Sequence, residues 1–252
     1  MTSLLRAGLN KVLSLLCGRL FRRYCYMCSK DIHIARNWIA AQESALFVQA
    51  ELPMAPTFHN KFELLQASLA QACPGLHCEF GVYKGETINF IASKVGATVH
   101  GFDSFEGLPE DWRSGFTRGR FSLAVLPKVA GNVVLHKGWF SNSIPKWLHE
   151  TPGAIGFLHI DCDLYSSTKS IFGALSERIV PGTVIQFDDY FNYPGWRTGE
   201  HRAFTEFCSE NQITFDYLGY VPTDEQIAVK ITSVCGRVEA GVSERREVVL
   251  EQ

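Results

Sequence analysis

The fold is decided by the stretch Leu76-His77-Cys78-Glu79-Phe80-Gly81-Val82-Tyr83-Lys84-Gly85-Glu86-Thr87. Its short apolar run at 76–80 predicts a β-strand, and a helical pattern over 85–94 follows. Between them lies a turn in which Gly81 and Gly85 can take positive φ angles and let a ligand approach the backbone. A strand that turns straight into a helix is typical of a βαβ domain with a mainly parallel sheet.

The same alternation continues along the chain. Strands are predicted over 76–80, 98–102, 132–136, 155–160 and 183–187, with a closing pair near 214–220 and 226–231. Helices are predicted over 30–50, 59–72, 85–94, 141–149, 167–179 and 200–211. We therefore predict an α/β domain over 57–235, a helical extension over 1–56, and a charged tail over 236–252 that is expected to be mobile.

Composition narrows the class of protein. With 46% hydrophobic and 20% charged residues, the chain of 252 residues has the balance of a soluble globular protein. A net charge of -2 gives no bulk electrostatic reason to expect a nucleic-acid partner. Eight scattered cysteines without a recognisable export signal indicate a reducing, cytoplasmic location.

The first thirty residues are unusual because they carry basic residues and no acidic one. Leu5, Leu9, Leu13, Leu16 and Leu20 recur at helical spacing and form an apolar stripe. The apolar run is too short to span a bilayer. Such a helix can lie on an anionic membrane surface. It can also pack on the domain or on a second subunit of a homo-oligomer, and the sequence alone favours these two packing alternatives.

In an open parallel sheet, ligands bind beyond the carboxyl ends of the strands. Asp103 ends the second strand, where an acid commonly accepts hydrogen bonds from a ribose. Tyr83 stands where a dinucleotide fingerprint needs glycine, and Glu79 suits a cationic ligand better than a diphosphate. S-adenosylmethionine fits these features, because it combines an adenosine with a cationic sulfonium and an ammonium group. The predicted cofactor-binding residues are Glu79, Gly81, Tyr83, Gly85, Asp103 and Ser104.

Carboxylates follow two later strands. Asp161 and Asp163 come after the fourth strand, and Asp188 and Asp189 after the fifth. Adjacent parallel strands bring these acids together, where they repel and raise one another's pKa unless a cation lies among them. Oxygen ligands suit magnesium or calcium. The alternative is that some acids only cap helices, as Asp163 would ahead of the helix over 167–179.

Four motifs together resemble the macrocin O-methyltransferase family over about residues 57–231. They are Glu79-Phe80-Gly81-Val82-Tyr83-Lys84-Gly85, Gly101-Phe102-Asp103-Ser104-Phe105-Glu106-Gly107-Leu108-Pro109, Ile160-Asp161-Cys162-Asp163-Leu164-Tyr165 and Phe187-Asp188-Asp189-Tyr190. The resemblance implies a Rossmann-like, seven-stranded methyltransferase sheet, mostly parallel with an antiparallel last strand. It also implies S-adenosylmethionine as donor and Mg²⁺-dependent transfer to a small-molecule hydroxyl, often on a sugar.

The resemblance also implies roles for the acids. Asp163, Asp188 and Asp189 would hold the metal, and Asp161 would act as general base, although Asp161 and Asp163 could exchange roles. Two other functions stay open at this stage. An NAD-dependent oxidoreductase is disfavoured by Tyr83, and a catalytically silent nucleoside-binding scaffold protein is disfavoured by the acid cluster.

Overall fold

The computed structural model describes residues 3–235, with side chains described from residue 8 onward. Seven strands form one sheet: β1 Leu76–Phe80, β2 Val99–Asp103, β3 Val133–Lys137, β4 Ile155–Ile160, β5 Ile179–Phe187, β6 Ile213–Tyr220 and β7 Ile227–Val234. Their order is β3-β2-β1-β4-β5-β7-β6. Strands β1 to β5 run parallel, and β7 is antiparallel to both of its neighbours. The predicted Rossmann-like sheet is confirmed, and its antiparallel strand lies inside the sheet rather than at the edge.

Seven α-helices accompany the sheet: α1 Ser3–Lys30, α2 Ile32–Glu51, α3 Lys61–Leu69, α4 Glu86–Lys94, α5 Phe140–Glu150, α6 Tyr165–Leu175 and α7 Glu200–Glu210. Apolar side chains of α5, α6 and α7 pack in one core cluster, and those of α3 and α4 pack in another. Every residue of β4 is buried, as its apolar run predicts. The sheet thus has a covered face on each side, and its carboxyl-end edge is left for a ligand.

The predicted bounds of the helix over 167–179 and of the strand over 183–187 are wrong. The helix predicted over 167–179 ends at Leu175, a 3₁₀ turn covers Ser176–Arg178, and β5 already begins at Ile179. The early part of β5 contains Pro181 and Gly182, the latter at φ 92°, and the pairing with β4 shifts register there. A bulge accommodates a proline and a glycine that a regular central strand excludes.

Helix α1 carries its apolar stripe into solvent. Leu13 is 49% exposed and Leu20 67% exposed, so within the described residues the domain does not cover the stripe. Of the two packing alternatives predicted from the sequence, packing of the stripe on the domain is therefore wrong. Between residues 3 and 235, no helix is long and apolar enough to cross a membrane. The predicted tail over 236–252 lies outside the described residues, and the predicted domain boundaries stay predictions.

Candidate active site

A cavity of about 330 Å³ opens at the carboxyl ends of the parallel strands. This volume falls in the range of small-molecule sites. Residues from the turns after β1, β2, β4 and β5 line it together. The predicted site residues among them are Gly81, Tyr83, Asp103, Ser104, Asp161, Asp163, Asp188 and Asp189. The structure does not bring Glu79 or Gly85 to the cavity wall.

Asp103 organises the turn that follows β1. Its Oδ2 accepts hydrogen bonds from the backbone N–H groups of Val82, at 3.0 Å, and Tyr83, at 2.8 Å. Its Oδ1 accepts one from the N–H of Phe105, at 2.7 Å. One carboxylate therefore joins the turns after β1 and β2, and it lines the cavity.

Gly81 is required for packing rather than only for ligand approach. Its φ is 94°, and a Cβ atom added there would overlap the carbonyl oxygen of Asp161. The missing side chain lets the turn after β1 lie directly against the end of β4. The turn after β1 and the acid-bearing turn after β4 are thus in direct backbone contact.

Glu79 has a different environment from the one predicted. Its side chain is fully buried, and its Oε2 lies 3.1 Å from Nδ1 of His159. Its Oε1 accepts a hydrogen bond of 3.0 Å from the Thr87 hydroxyl. Glu79 therefore supports β1 and β4 from beneath the cavity, and contacts an imidazole where a cationic ligand was expected.

His159 forms a buried cation between two carboxylates. Burial alone would lower the pKa of His159, but attraction to Asp188 and Glu79 raises it to about 10. Nε2 of His159 lies 3.8 Å from Oδ1 of Asp188, an ion-pair distance rather than a hydrogen bond. The imidazolium consequently joins the strand that precedes the glycine turn to the acid cluster.

Three carboxylates converge on one point. Asp161, Asp163 and Asp189 each offer an oxygen atom, and these atoms all lie within 4.8 Å of one another. Burial raises the pKa of Asp163 to about 7. Burial and the charge of Asp188 raise the pKa of Asp161 well above its usual value, and burial and the charge of Asp163 do the same for Asp189. Repelling carboxylates of this kind fit a hard divalent cation.

Asp188 stands apart from that trio. Its Oδ2 lies 3.3 Å from Nζ of Lys61, at the start of α3, and it groups with His159 and Asp161. Burial alone would raise the pKa of Asp188, but His159 and Lys61 outweigh it and lower the pKa. The predicted ligands Asp163 and Asp189 therefore share one group with Asp161, whereas the predicted ligand Asp188 belongs to the other.

The long loop between β2 and β3 covers the acid cluster and supplies a cation to it. Nη1 of Arg113 lies 2.9 and 2.8 Å from the two carboxylate oxygens of Glu225, and Nη2 lies 3.4 Å from Oδ1 of Asp189. The guanidinium carbon of Arg113 is 3.9 Å from the ring centre of Trp112. Arg113 thus fixes the loop by two hydrogen bonds to Glu225 and by stacking on Trp112.

Several site residues escaped the sequence reasoning. Lys61 and Arg113 come from segments without a motif, and only the folded chain brings them to the acids. Buried Glu200 accepts hydrogen bonds from the N–H groups of Cys162, at 3.4 Å, and Asp189, at 3.3 Å, and so holds both acid-bearing turns. For His159 a signal existed, since it lies two residues before Asp161 and shares its face of the strand.

Comparison with known proteins agrees with this geometry. Residues 78–190 match a family model described as a methyltransferase domain, which spans the glycine turn and all four acids. The search of curated proteins gave no match. Two solved structures share the fold: CalS11, a calicheamicin methyltransferase, and the O-methyltransferase NovP.

The two likenesses are distant. CalS11 is 22% identical with a TM-score of 0.52, covering 68% of this chain and 77% of its own. NovP is 20% identical with a TM-score of 0.55, covering 68% of this chain and 79% of its own. The fold is therefore a Rossmann-like sheet, and residues 78–190 of the chain match a methyltransferase domain. Assignment of the chain to the macrocin O-methyltransferase family stays a prediction.

Proposed function

We propose that the protein transfers a methyl group from S-adenosylmethionine to a hydroxyl of a small molecule, and that its acid cluster holds a divalent cation, Mg²⁺ by preference. One observation carries the proposal. The turn organised by Asp103 and the trio Asp161, Asp163 and Asp189 line the same cavity, within reach of one bound pair of reactants. Positioning two reactants in such a cavity can lower a barrier by about 7 to 11 kcal/mol.

Charge in the cavity supports this donor over a dinucleotide. Tyr83 lines the wall where a pyrophosphate would need a glycine. The carboxylate of Asp103 lines the same cavity, and a carboxylate there attracts a cationic ligand and repels a diphosphate. This argument replaces the one built on Glu79, because His159 already neutralises that carboxylate.

The acid trio supports the metal. A divalent cation bound there would bind the acceptor oxygen and lower the pKa of the hydroxyl. Asp161 belongs to both clusters of side chains that could hold an ion, which favours it as a ligand. Asp163 then becomes the candidate base that accepts the hydroxyl proton, which is the exchange of roles that the family resemblance allows.

The covering loop supports a small, flat acceptor. Trp112, Phe116 and Phe121 line the cavity beside the acids. Aromatic faces pack well against the apolar faces of sugars and against planar rings. CalS11 is a calicheamicin methyltransferase and NovP an O-methyltransferase, and a sugar or natural-product hydroxyl also suits this cavity.

The direct test is methyl transfer from radiolabelled S-adenosylmethionine to sugar, phenol and natural-product hydroxyls, each with added Mg²⁺ and with chelator. We expect labelled product with Mg²⁺ and its loss with chelator. Calorimetry with S-adenosylmethionine and with NADH tests the donor separately. Binding of NADH without binding of S-adenosylmethionine would reject the proposal in favour of an oxidoreductase.

The Asp103→Asn variant is expected to raise the Kd for S-adenosylmethionine by about tenfold to a hundredfold. A charged acceptor is lost to both the ribose and the turn after β1, and such hydrogen bonds contribute about 1.5 to 3 kcal/mol each. Calorimetry measures the change. Asp216→Asn, an exposed acid on β6, is the matched control. Unchanged affinity in both variants would remove Asp103 from the cofactor site.

The Arg113→Gln variant is expected to tighten Mg²⁺ binding by roughly tenfold, since like charges at a partly buried site repel by more than about 1 kcal/mol. Arg113 approaches Asp189, so the variant removes a cation that competes for the trio. Arg118→Gln, exposed on the same loop, is the control. If both variants bind Mg²⁺ like the unmodified chain, the guanidinium and the ion do not share these carboxylates.

A further inference from the structure

Helix α1 presents an uncovered apolar face. Its members recur every three or four residues and are between 49% and 67% exposed: Leu9, Leu13, Leu16, Leu20, Tyr24 and Met27. Among the described elements, α2 is the one that α1 contacts substantially. Asp31 joins the two helices by capping α2, where its Oδ1 accepts hydrogen bonds from the N–H groups of His33 and Ile34. The face is thus carried away from the catalytic domain.

The same helix is strongly basic. Its described side chains include Lys11, Arg19, Arg22, Arg23 and Lys30, and no acidic residue precedes Asp31. The whole chain has 24 basic and 26 acidic residues, and six of the basic ones lie within the first thirty. The remainder therefore has 18 basic against 26 acidic residues. Charge is segregated, with a cationic helix attached to an anionic domain.

This charge selects among the occupants that could cover the face. If α1 paired with a second copy as a coiled coil, the heptad positions of Leu9 and Leu16 would next fall on Arg23. Two arginines would then meet in the apolar seam, in addition to the repulsion between the basic flanks. In a lipid headgroup layer, by contrast, an arginine beside the apolar face extends to the phosphates while its stem stays in apolar surroundings.

Exposed aromatic side chains also favour a lipid surface. Tyr24 and Tyr26 on α1 and Trp38 on α2 are 54%, 65% and 55% exposed. Tyrosine and tryptophan are enriched at the level of lipid headgroups, because their rings are apolar and their tips polar. We propose that α1 lies in the plane of an anionic membrane surface, with its apolar face toward the acyl chains and its arginines toward lipid phosphates.

The test uses the full chain and two sets of vesicles, phosphatidylcholine alone and phosphatidylcholine mixed with phosphatidylglycerol. We expect cosedimentation with the mixed vesicles only, and release at high salt because salt screens the attraction. Arg19→Glu, Arg22→Glu and Arg23→Glu together should lower the partition coefficient at least about a hundredfold, at roughly fivefold for each basic residue lost.

Two further variants separate charge from burial. Lys94→Glu, Lys128→Glu and Lys146→Glu together change the net charge equally on exposed sites of the domain, and should bind vesicles like the unmodified chain. Leu13→Gln with Leu16→Gln should lose binding although the charge of the helix is unchanged. Since both leucines are exposed, thermal unfolding of this variant should be unchanged.

Three results would overturn the proposal. The first is no binding to mixed vesicles at low salt, and the second is equal binding by the two triple variants. The third is a dimer in sedimentation equilibrium that Leu13→Gln with Leu16→Gln dissociates, combined with no vesicle binding, which would assign the face to a second copy. None of these results bears on the proposed methyl transfer, because the residues proposed for it lie outside α1.

Discussion

Asp161→Asn is expected to lower the rate of methyl transfer about a thousandfold while binding of S-adenosylmethionine changes little. Asp161 is shared by both groups of side chains that could hold a cation. The variant removes one anionic ligand, and loss of a positioned proton acceptor or of metal activation costs about 10² to 10⁴ in rate. Asparagine keeps the size of the side chain, so the turn at the end of β4 can retain its shape.

Single-turnover rates with saturating donor, together with Mg²⁺ calorimetry, measure the effect. Asp163→Asn run in parallel separates the two roles: a ligand loses metal affinity, whereas a base loses rate at unchanged metal affinity. Asp216→Asn controls for loss of a charge outside the cavity. A rate for Asp161→Asn within tenfold of the unmodified enzyme would mean that the acids only shape the turn.

Local patterns were enough to predict the frame of this site. The runs at 76–80 and 155–160 gave β1 and β4 with their observed bounds, because a buried parallel strand is a short apolar segment between turns. The acids could be placed at one edge, since parallel neighbours end together. The extent of β5 was misjudged, because Pro181 and Gly182 interrupt the apolar pattern although they lie at a bulge within the strand.

Partners distant in sequence could not be predicted. Lys61 lies 127 residues from Asp188, and Glu79 lies 80 residues from His159. Each side chain is unremarkable in its own segment, and only the sheet order β1-β4-β5 brings them together. This is why Glu79 was assigned to the ligand, and why Asp188 was counted with Asp163 and Asp189. Only the folded chain shows which charged side chains form ion pairs with one another and which line the cavity.

Glu79→Leu is expected to destabilise the fold by about 3 to 5 kcal/mol, close to a thousandfold in the unfolding equilibrium, because the buried imidazolium loses its nearer partner and keeps only Asp188, at 3.8 Å. Both side chains of the pair are completely inaccessible to solvent. Replacing Glu79 and His159 together by leucine should recover much of this loss, since the buried imidazolium is removed and Asp188 keeps Lys61 as its cationic partner. Urea unfolding of the two single variants and the double variant measures the coupling.

The pair also predicts how stability depends on pH. The folded-state pKa of His159, about 10, lies above the ordinary value of 6.5, so its stabilising contribution is complete below pH 6.5. That contribution is lost as the pH rises toward 10, because the unfolded chain then binds fewer protons than the folded one. The doubly substituted chain lacks this group and should lose less stability between pH 7 and pH 10. If the two chains show the same pH dependence, or if Glu79→Leu costs less than about 1 kcal/mol, the buried imidazole is neutral and Glu79 does not hold a charge beneath the site.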